Sequence, residues 1–246
     1  MVDGDLLDFE LHFERLRKGV EFVYGPFSDA QDWVLQLKGR IQARCATEEG
    51  DKVLRITVYR DQARGLHPTS MLASGDLKLN FHFTPPDPEA LLRRALRLRS
   101  CPVNSRPAWW PSYLKAGSYL ETILSQKVHL KPEDDDLLFL SRDETILESS
   151  VANIFLVRHN RLYTAPPGPT VLDGVMRKKI LGAAAEFFDG VREVESTLSD
   201  AVAADAVFGS NSLRGPFLVS HVDGREIAPA RDFHQKFDVL WNRVMR

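Results

Sequence analysis

Apolar residues in the first half of the chain follow helical and then strand periodicity. Those between Leu7 and Val20 fall on one side of a helix, and Trp33, Leu37 and Ile41 repeat that spacing. Further along, β-branched and apolar residues alternate with polar ones, as expected for strands with one buried face. The pattern predicts an early amphipathic helix, a helix over Ala30–Ala43, and strands over Lys52–Arg60 and Asp76–Phe83.

The second half of the chain consists mainly of short apolar segments separated by turn residues. The predicted helices are Ser118–Lys127, Val175–Phe188 and Phe233–Val244. The predicted strands are Arg94–Val103, Asp136–Ser141, Ile146–Glu148, Asn153–Arg158, Arg161–Thr164, Ala206–Gly209, Pro216–Val222 and Arg225–Ile227. Asp223-Gly224 is a plausible hairpin turn between the last two strands.

A proline-rich segment, Thr84-Pro85-Pro86-Asp87-Pro88, separates the two halves. Proline fixes φ and lacks a backbone N–H, so neither a helix nor a sheet ladder continues through this segment. We therefore predict two unequal domains of mixed α and β structure, residues 1–86 and 87–246.

Composition narrows the class of protein. The apolar fraction of 43% and the formal net charge of −2 are those of an ordinary globular protein, without the basic excess expected of a nucleic-acid partner. The acidic start is unlike a signal peptide, and no apolar run reaches the roughly 20 residues that span a bilayer. We expect a soluble, cytoplasmic protein. Cys45 and Cys101 have no metal-site spacing, so reduced thiols are the simpler interpretation, with a disulfide as the alternative.

Three features are candidates for chemistry. Lys115 lies in Tyr113–Gly117 after an aromatic, proline-rich stretch, and an apolar setting would favour its uncharged, nucleophilic amine. Glu148 ends a predicted buried strand, where a carboxylate is either paired or functional. Leu172–Arg177 opens a helix whose N–H groups can bind an anion. Each has a simpler alternative: a solvated ammonium, a structural ion pair, and a helix start that binds nothing.

Taken together, these segments resemble the fold-type IV pyridoxal-phosphate enzymes. The resemblance rests on Lys115, on Glu148-Ser149-Ser150-Val151-Ala152-Asn153-Ile154-Phe155, on Leu162–Pro166 and on Leu172–Arg177. It covers nearly the whole chain and is strongest from Lys115 to Leu181. It implies a two-domain α+β fold, with a small N-terminal α/β domain and a larger domain with a β-barrel-like core. It also implies pyridoxal 5'-phosphate as the cofactor.

The resemblance assigns roles around the cofactor. Lys115 would hold it covalently and move protons on the substrate, while Glu148 would keep the pyridine ring protonated, which makes the cofactor an electron sink. Tyr119 would reach the phenolic oxygen, and Leu172 would pack on the ring. The phosphate would be bound by the backbone N–H groups of Val175 and Met176, by the loop containing Asn211 and Ser212, and by Arg15 of His12-Phe13-Glu14-Arg15-Leu16. Arg64 would bind a substrate carboxylate.

The family contains branched-chain and D-amino-acid aminotransferases and aminodeoxychorismate lyases, and members are usually homodimers. Asn211-Ser212-Leu213 followed by Gly215 favours the lyase, which forms 4-aminobenzoate, a folate precursor, and pyruvate. Leu66 after Arg64-Gly65 departs from the lyase pattern, where a tyrosine is common. The alternatives are an aminotransferase of branched-chain or D-amino acids and a cofactor-binding relative without catalysis. Family members usually carry a strand with Gly-x-Gly-x-Phe-Glu ahead of the first helix, where this sequence begins.

Overall fold

The computed structural model describes residues 5–24, 30–60, 77–103 and 114–245. The chain divides into two compact units, Met1–Pro88 and Glu89–Arg246. The division falls at the last proline of the proline-rich segment, where the backbone cannot continue a helix or a ladder.

The first unit packs two helices against two strands. Helices α1 (Phe9–Tyr24) and α2 (Ala30–Cys45) follow the predicted apolar stripes. Strands β1 (Val53–Arg60) and β2 (Leu77–Thr84) pair antiparallel along their full lengths. Alternate residues of both strands pack on the helices, which explains the period of two in their sequences. The buried core residues are Phe13, Val20, Trp33, Leu37, Ile41, Cys45 and Leu77.

The second unit contains most of the strands. A short helix, α3 (Pro88–Leu91), lies at the division between the units. Then follow β3 (Leu96–Pro102), α4 (Leu120–His129), β4 (Asp136–Leu140), β5 (Ile146–Ser149), β6 (Asn153–Arg158), β7 (Arg161–Thr164), α5 (Val175–Ala183), a 3-10 turn (Ala184–Glu186), β8 (Gly190–Glu193), α6 (Leu198–Val202), β9 (Ala206–Asn211), β10 (Gly215–Val222), β11 (Arg225–Glu226) and α7 (Arg231–Met245).

The strands of the second unit form one curled, mixed sheet. Within the described residues its order is β5-β4-β3-β10-β9-β6-β7-β8, and β11 pairs with β10. The two ends of the sheet meet, because the N–H of Ile146 in β5 donates to the carbonyl of Ser196 just after β8, at 2.7 Å. Together with the fully buried β4, this closure gives the barrel-like α+β core that the resemblance implies.

Both faces of the central strands are buried, so β6 is apolar almost throughout. Ile154 and Leu156 point to the inner cluster of the sheet, and Phe155 and Val157 point to the cluster under α5 and α7. Phe155 stacks on Phe208 with ring centroids 4.8 Å apart. Burial of each such ring stabilises the fold by about 1.5–3 kcal/mol relative to exposure.

The structure departs from the predicted elements in four places. The helix predicted over Val175–Phe188 ends at Ala183, and the chain tightens into the 3-10 turn that follows. Helix α3, strand β8 and helix α6 were not predicted. The predicted Asp223-Gly224 hairpin is confirmed, with positive φ at both residues.

Two further observations bear on the cell-biological predictions. Cys45 and Cys101 are both buried and free. Across the described ranges, no helix combines the length and apolar character needed to cross a membrane.

Candidate active site

The loops that carry the predicted site residues meet at one end of the sheet. Strand β5 ends at Ser149, and a tight turn leads directly into Asn153 at the start of β6. Asn153 pairs with Ser210 near the end of β9, and Phe155 pairs with Thr164 at the end of β7. The segments that follow β5, β7 and β9 therefore lie side by side, although Ser149 and Ser210 are 61 residues apart in sequence (210 minus 149).

Glu148 is tied to the segment that follows β7. Its side chain is partly buried in β5, and its Oε2 accepts a hydrogen bond from the backbone N–H of Leu172 at 3.0 Å. A carboxylate in such a place needs donors to offset its desolvation, and this N–H is one of them. The bond brings together two residues that the resemblance places on the same cofactor ring.

Asn153 fixes the same segment from the other side. Its Nδ2 donates to the carbonyl of Leu172 at 2.8 Å. A Cβ atom built on Gly174 would lie 2.1 Å from Asn153 Oδ1, so Gly174 provides the space into which this amide packs. The φ of Gly174 is −69°, so glycine is needed there for space and not for its conformational freedom. Asn153 lies within the motif Glu148–Phe155 that carries the resemblance, but no role was predicted for it from the sequence.

Helix α5 directs its N-terminus towards this end of the sheet. Its first residues, Val175 and Met176, are buried, and their backbone N–H groups have no acceptor within the helix. Such groups, together with the helix dipole, favour an anion at that position. The buried Arg177 anchors the first turn by donating to the carbonyl of Ala165 at 3.0 Å and by pairing with Glu193.

The loop between β9 and β10 is shaped by Asn211. Its Oδ1 accepts hydrogen bonds from the backbone N–H groups of Leu213 (3.0 Å) and Arg214 (2.9 Å). This turn leaves Ser212 exposed at the tip. Gly215 closes the turn with φ +68°, a conformation that favours glycine. The side chain of Asn211 thus holds the loop in place, in addition to any contact with a cofactor.

Lys115 lies near Tyr119 just before α4. Its Nζ is 5.9 Å from the centroid of the Tyr119 ring, so the two predicted residues lie together. Lys115 is exposed, however, and Tyr119 is 40% exposed. The sequence neighbours of Lys115 predicted an apolar setting for its side chain. This prediction was wrong, because the side chain is exposed. The aromatic stretch that suggested it, including Trp109 and Trp110, lies outside the described residues.

A buried carboxyl group lies behind this end of the sheet. Asp136, at the start of β4, is 3% exposed and accepts hydrogen bonds from the hydroxyl of Ser150 and the N–H of Leu137. Burial raises the pKa of Asp136, although these hydrogen bonds oppose the shift. Ser150 also lies 3.4 Å from Gln126 Nε2, which links β4 and the turn after Glu148 to helix α4.

A cavity of about 300 Å³ opens beside these groups. It is lined by residues from the starts of β3 and β4, from the turn after β5, from α4, and from the β9–β10 loop: Arg94, Leu96, Gln126, Asp135, Asp136, Ser150, Val151, Asn211, Leu213 and Arg214. All of them belong to the second unit.

Two predicted arginines have different outcomes. Arg15 lies on α1 in the first unit, with Nη2 3.5 Å from Nδ1 of His12. Its role towards a phosphate remains a prediction, as do the roles of the other site residues. Arg64, predicted to bind a substrate carboxylate, lies outside the described residues.

Comparison with known proteins gives consistent matches. The family model described as Amino-transferase class IV matches residues 1–222. The aminodeoxychorismate lyase of Vibrio harveyi is 25% identical over 224 residues, which cover 91% of this chain and 80% of that protein. The crystal structure of 4-amino-4-deoxychorismate lyase from Pseudomonas aeruginosa superposes with a TM-score of 0.82 at 23% identity, covering 100% of this chain and 89% of the other. A PLP-bound hypothetical aminotransferase from Mycobacterium tuberculosis superposes with a TM-score of 0.78 at 18% identity. The superposition covers 99% of this chain and 86% of the other.

Proposed function

The chain belongs to the class IV aminotransferase family, and on this basis we propose that it is a pyridoxal-phosphate-dependent lyase. The reaction converts 4-amino-4-deoxychorismate to 4-aminobenzoate and pyruvate. The observation that carries the proposal is the hydrogen bond between Glu148 and Leu172, two residues that the resemblance assigns to the same cofactor ring, just before the N-terminus of α5. The Vibrio harveyi lyase, similar over 91% of the chain, supports the choice of reaction.

The described residues fit pyridoxal 5'-phosphate. Glu148 offers a carboxylate to the protonated ring nitrogen, while the N–H groups of Val175 and Met176 and the hydroxyl of Ser212 offer donors to the phosphate. The assignment of Arg15 to the phosphate rests on the resemblance alone. When bound, the cofactor supplies an electron sink that stabilises negative charge developing on the carbon beside the substrate amine.

Lys115 is the residue that moves protons. In the proposed reaction its amine accepts the proton from C4, the ring carbon that bears the substrate amine. The electron pair of the broken C4–H bond then forms a ring double bond as the C3–O bond breaks. The ring becomes 4-aminobenzoate, and the departing enolpyruvate takes up a proton to give pyruvate. Tyr119, whose ring centroid lies 5.9 Å from Lys115 Nζ, would reach the phenolic oxygen of the cofactor.

A second candidate function is an aminotransferase of branched-chain or D-amino acids. The family description and the fold shared with the Mycobacterium tuberculosis aminotransferase favour it. The same proton abstraction by Lys115 would serve this reaction, but the product would be a keto acid. The two functions are separated by supplying aminodeoxychorismate and, in parallel, D-alanine or valine together with 2-oxoglutarate as the amino acceptor. The lyase releases 4-aminobenzoate only from the first, whereas the aminotransferase releases a keto acid only from the second.

The protein acts as a homodimer in this proposal. Helix α4 supports it, because none of its residues, all of which the structure describes, is buried. Its large apolar side chains, Leu120, Ile123, Leu124 and Val128, are each at least 49% exposed, and an apolar helix face of this kind is stabilised by burial against another surface.

The proposed products place the protein in folate biosynthesis, since 4-aminobenzoate is a folate precursor. We expect it in the cytoplasm, where two free thiols such as Cys45 and Cys101 stay reduced.

A further inference from the structure

The cavity beside the β9–β10 loop has both apolar and polar side chains in its lining. Leu96, Val151 and Leu213 supply apolar surface, while Gln126 and Ser150 supply polar groups at one side. Ser150 and Val151 lie two and three residues after Glu148, and Asn211, itself a predicted cofactor residue, precedes Ser212. The cavity therefore adjoins the predicted cofactor residues and has the mixed lining of a small-molecule site.

Hydrogen bonds to the backbone of Arg214 fix this residue at the edge of the cavity. Its N–H donates to Asn211 Oδ1 at 2.9 Å, and its carbonyl accepts from Trp241 Nε1 at 3.3 Å. Its guanidinium lies 5.9 Å from the ring centroid of Phe217. The Nη1 atom is shielded from solvent and, within the described part of the chain, has no hydrogen-bond partner. A buried charged donor of this kind is unfavourable unless an acceptor joins it.

The other charged groups that line the cavity have ion-pair or hydrogen-bond partners, although one carboxylate oxygen of Asp136, Oδ2, is buried and has none among the described residues. Arg94 pairs with Asp135 at 2.7 Å, and the second carboxylate oxygen of Asp135 accepts from the N–H of Arg97 at 2.8 Å. Asp136 accepts from Ser150, and burial raises its pKa, which favours the neutral form. Among the described residues that line the cavity, Arg214 is therefore the cation whose charge is not balanced.

We infer that this cavity binds the ring carboxylate of the substrate, with Arg214 as its partner. The inference rests on the proposed lyase function, whose substrate and aromatic product share a carboxylate on a six-membered ring. The planar guanidinium suits that group, because it can donate two parallel hydrogen bonds to one carboxylate. The apolar side chains would contact the faces of the ring. Nothing in the sequence motifs assigned a role to Arg214.

The test compares two ligands of nearly the same shape, one with a charged carboxylate and one with a neutral amide. Isothermal titration calorimetry on the holoenzyme measures the affinity for 4-aminobenzoate and for its neutral analogue, 4-aminobenzamide. Arg214→Gln is expected to weaken the binding of 4-aminobenzoate about 10- to 100-fold, the range of a charge-assisted hydrogen bond. The affinity for 4-aminobenzamide is expected to change less than about twofold. Arg214→Lys, which keeps the charge but not the fork geometry, is expected to give an intermediate loss for the acid alone.

The matched control is Arg93→Gln, which removes an arginine that pairs with Asp238 and lies over Trp241, outside the lining of this cavity. It is expected to bind both ligands as the wild type does. Equal affinity of wild type and Arg214→Gln for 4-aminobenzoate would overturn the inference. So would an equal loss for acid and amide, or a loss of the same size in Arg93→Gln.

Turnover separates this inference from the proposed function. If the wild type forms 4-aminobenzoate and Arg214→Gln has an unchanged KM for aminodeoxychorismate, the carboxylate site is wrong and the lyase stands. If the wild type forms no 4-aminobenzoate yet binds it through Arg214, the lyase is wrong and a site for a cyclic carboxylate stands.

Discussion

The carboxylate of Glu148 accepts a hydrogen bond from the backbone N–H of Leu172, 3.0 Å away and 24 residues later in the chain. Asn153 binds the carbonyl of the same residue, so the peptide groups on both sides of Leu172 are fixed by side chains. This arrangement holds the turn before α5 against β5 and β6. Such preorganisation limits the conformational cost of binding a cofactor there.

Replacement of Lys115 by alanine is expected to abolish turnover and the absorbance of the covalently bound cofactor. The reason is that the amine is both the attachment point and the proton carrier in the proposed mechanism. The loss in kcat should be at least about 10²- to 10⁴-fold, the contribution typical of a positioned acid–base group. Absorbance spectra and product assays measure it. Lys127→Ala, at an exposed position on α4, is the control, and unchanged activity in Lys115→Ala would refute the assignment.

Glu148→Gln keeps the shape of the side chain but removes the charge that would hold the ring nitrogen protonated. We expect the cofactor to remain bound, because the glutamine oxygen can still accept from Leu172. The value of kcat should fall by about 10²-fold or more, as when a group that stabilises transition-state charge is lost. Cofactor content and kcat are measured on the same preparation of the variant. A Glu148→Gln variant with the kcat of the wild type would contradict the role of Glu148 in holding the ring nitrogen protonated.

Gly174→Ala places a methyl group where Asn153 packs. The clash of 2.1 Å should displace the amide, cost about 1–3 kcal/mol of stability and weaken cofactor binding. Urea unfolding and cofactor titration measure both effects. Gly182→Ala is the control, since a Cβ there meets nothing within 4 Å and should stabilise α5 by up to about 1 kcal/mol.

The origin of that clash can be tested separately. In an Asn153→Ala background the added methyl of Gly174→Ala has no amide oxygen to meet, so its effect on stability should shrink. Full additivity of the two substitutions would show that the packing of Asn153 against Gly174 is unimportant.

Two aspartates are expected to shift stability with pH in opposite directions. Burial raises the pKa of Asp136 above its ordinary value of 3.8, so its stabilising contribution is complete below that pH and is lost as the pH rises through the folded-state pKa. The pKa of Asp200 is lowered mainly by the hydrogen bond that its carboxylate accepts from the N–H of Thr197. A hydrogen bond from Arg158 lowers it further. Its contribution is therefore present above pH 3.8 and is lost as the pH falls below it.

Urea unfolding at a series of pH values measures this difference. Relative to Asp136→Asn, the wild type should lose stability as the pH rises above 3.8. Relative to Asp200→Asn, it should lose stability as the pH falls below 3.8. The two slopes are independent of any constant change caused by the new amide groups. Slopes of the same sign would contradict the account of one or the other carboxyl group.

The proposed dimer depends on the apolar face of α4. Leu124→Glu introduces a charge at the centre of that face and is expected to shift the protein from dimer to monomer in sedimentation equilibrium. Val239→Glu, which alters an isolated exposed side chain on α7, should leave the assembly unchanged. A wild-type protein that sediments as a monomer at all concentrations would rule out the dimer.

Much of the fold was predictable because its strands have strong patterns. Strand β6 is buried on both faces, and its apolar run is bounded by Asn153 and Arg158. Strand β8 escaped prediction because it is short, lies at an edge of the sheet and carries exposed charged residues. Helix α6 has only five residues, but its capping box between Thr197 and Asp200 was a signal that could have located it.

The candidate site was predictable only in part. Its motif residues could be named from the resemblance, but the contacts of Asn153 with Leu172 and Gly174 depend on how β6 and the turn before α5 pack, which local sequence does not encode. The setting of Lys115 was mispredicted because apolar sequence neighbours do not ensure burial. The cavity at Arg214 is formed by segments more than 100 residues apart, such as Arg94 and Arg214 themselves (214 minus 94 is 120).

The central claim is tested most directly by incubating the purified holoenzyme with aminodeoxychorismate and measuring 4-aminobenzoate and pyruvate together. The account predicts that the two products appear in equal amounts and that Lys115→Ala forms neither. Absence of 4-aminobenzoate from the wild type, with transfer of the amino group of D-alanine or valine to 2-oxoglutarate, would contradict the lyase and identify an aminotransferase.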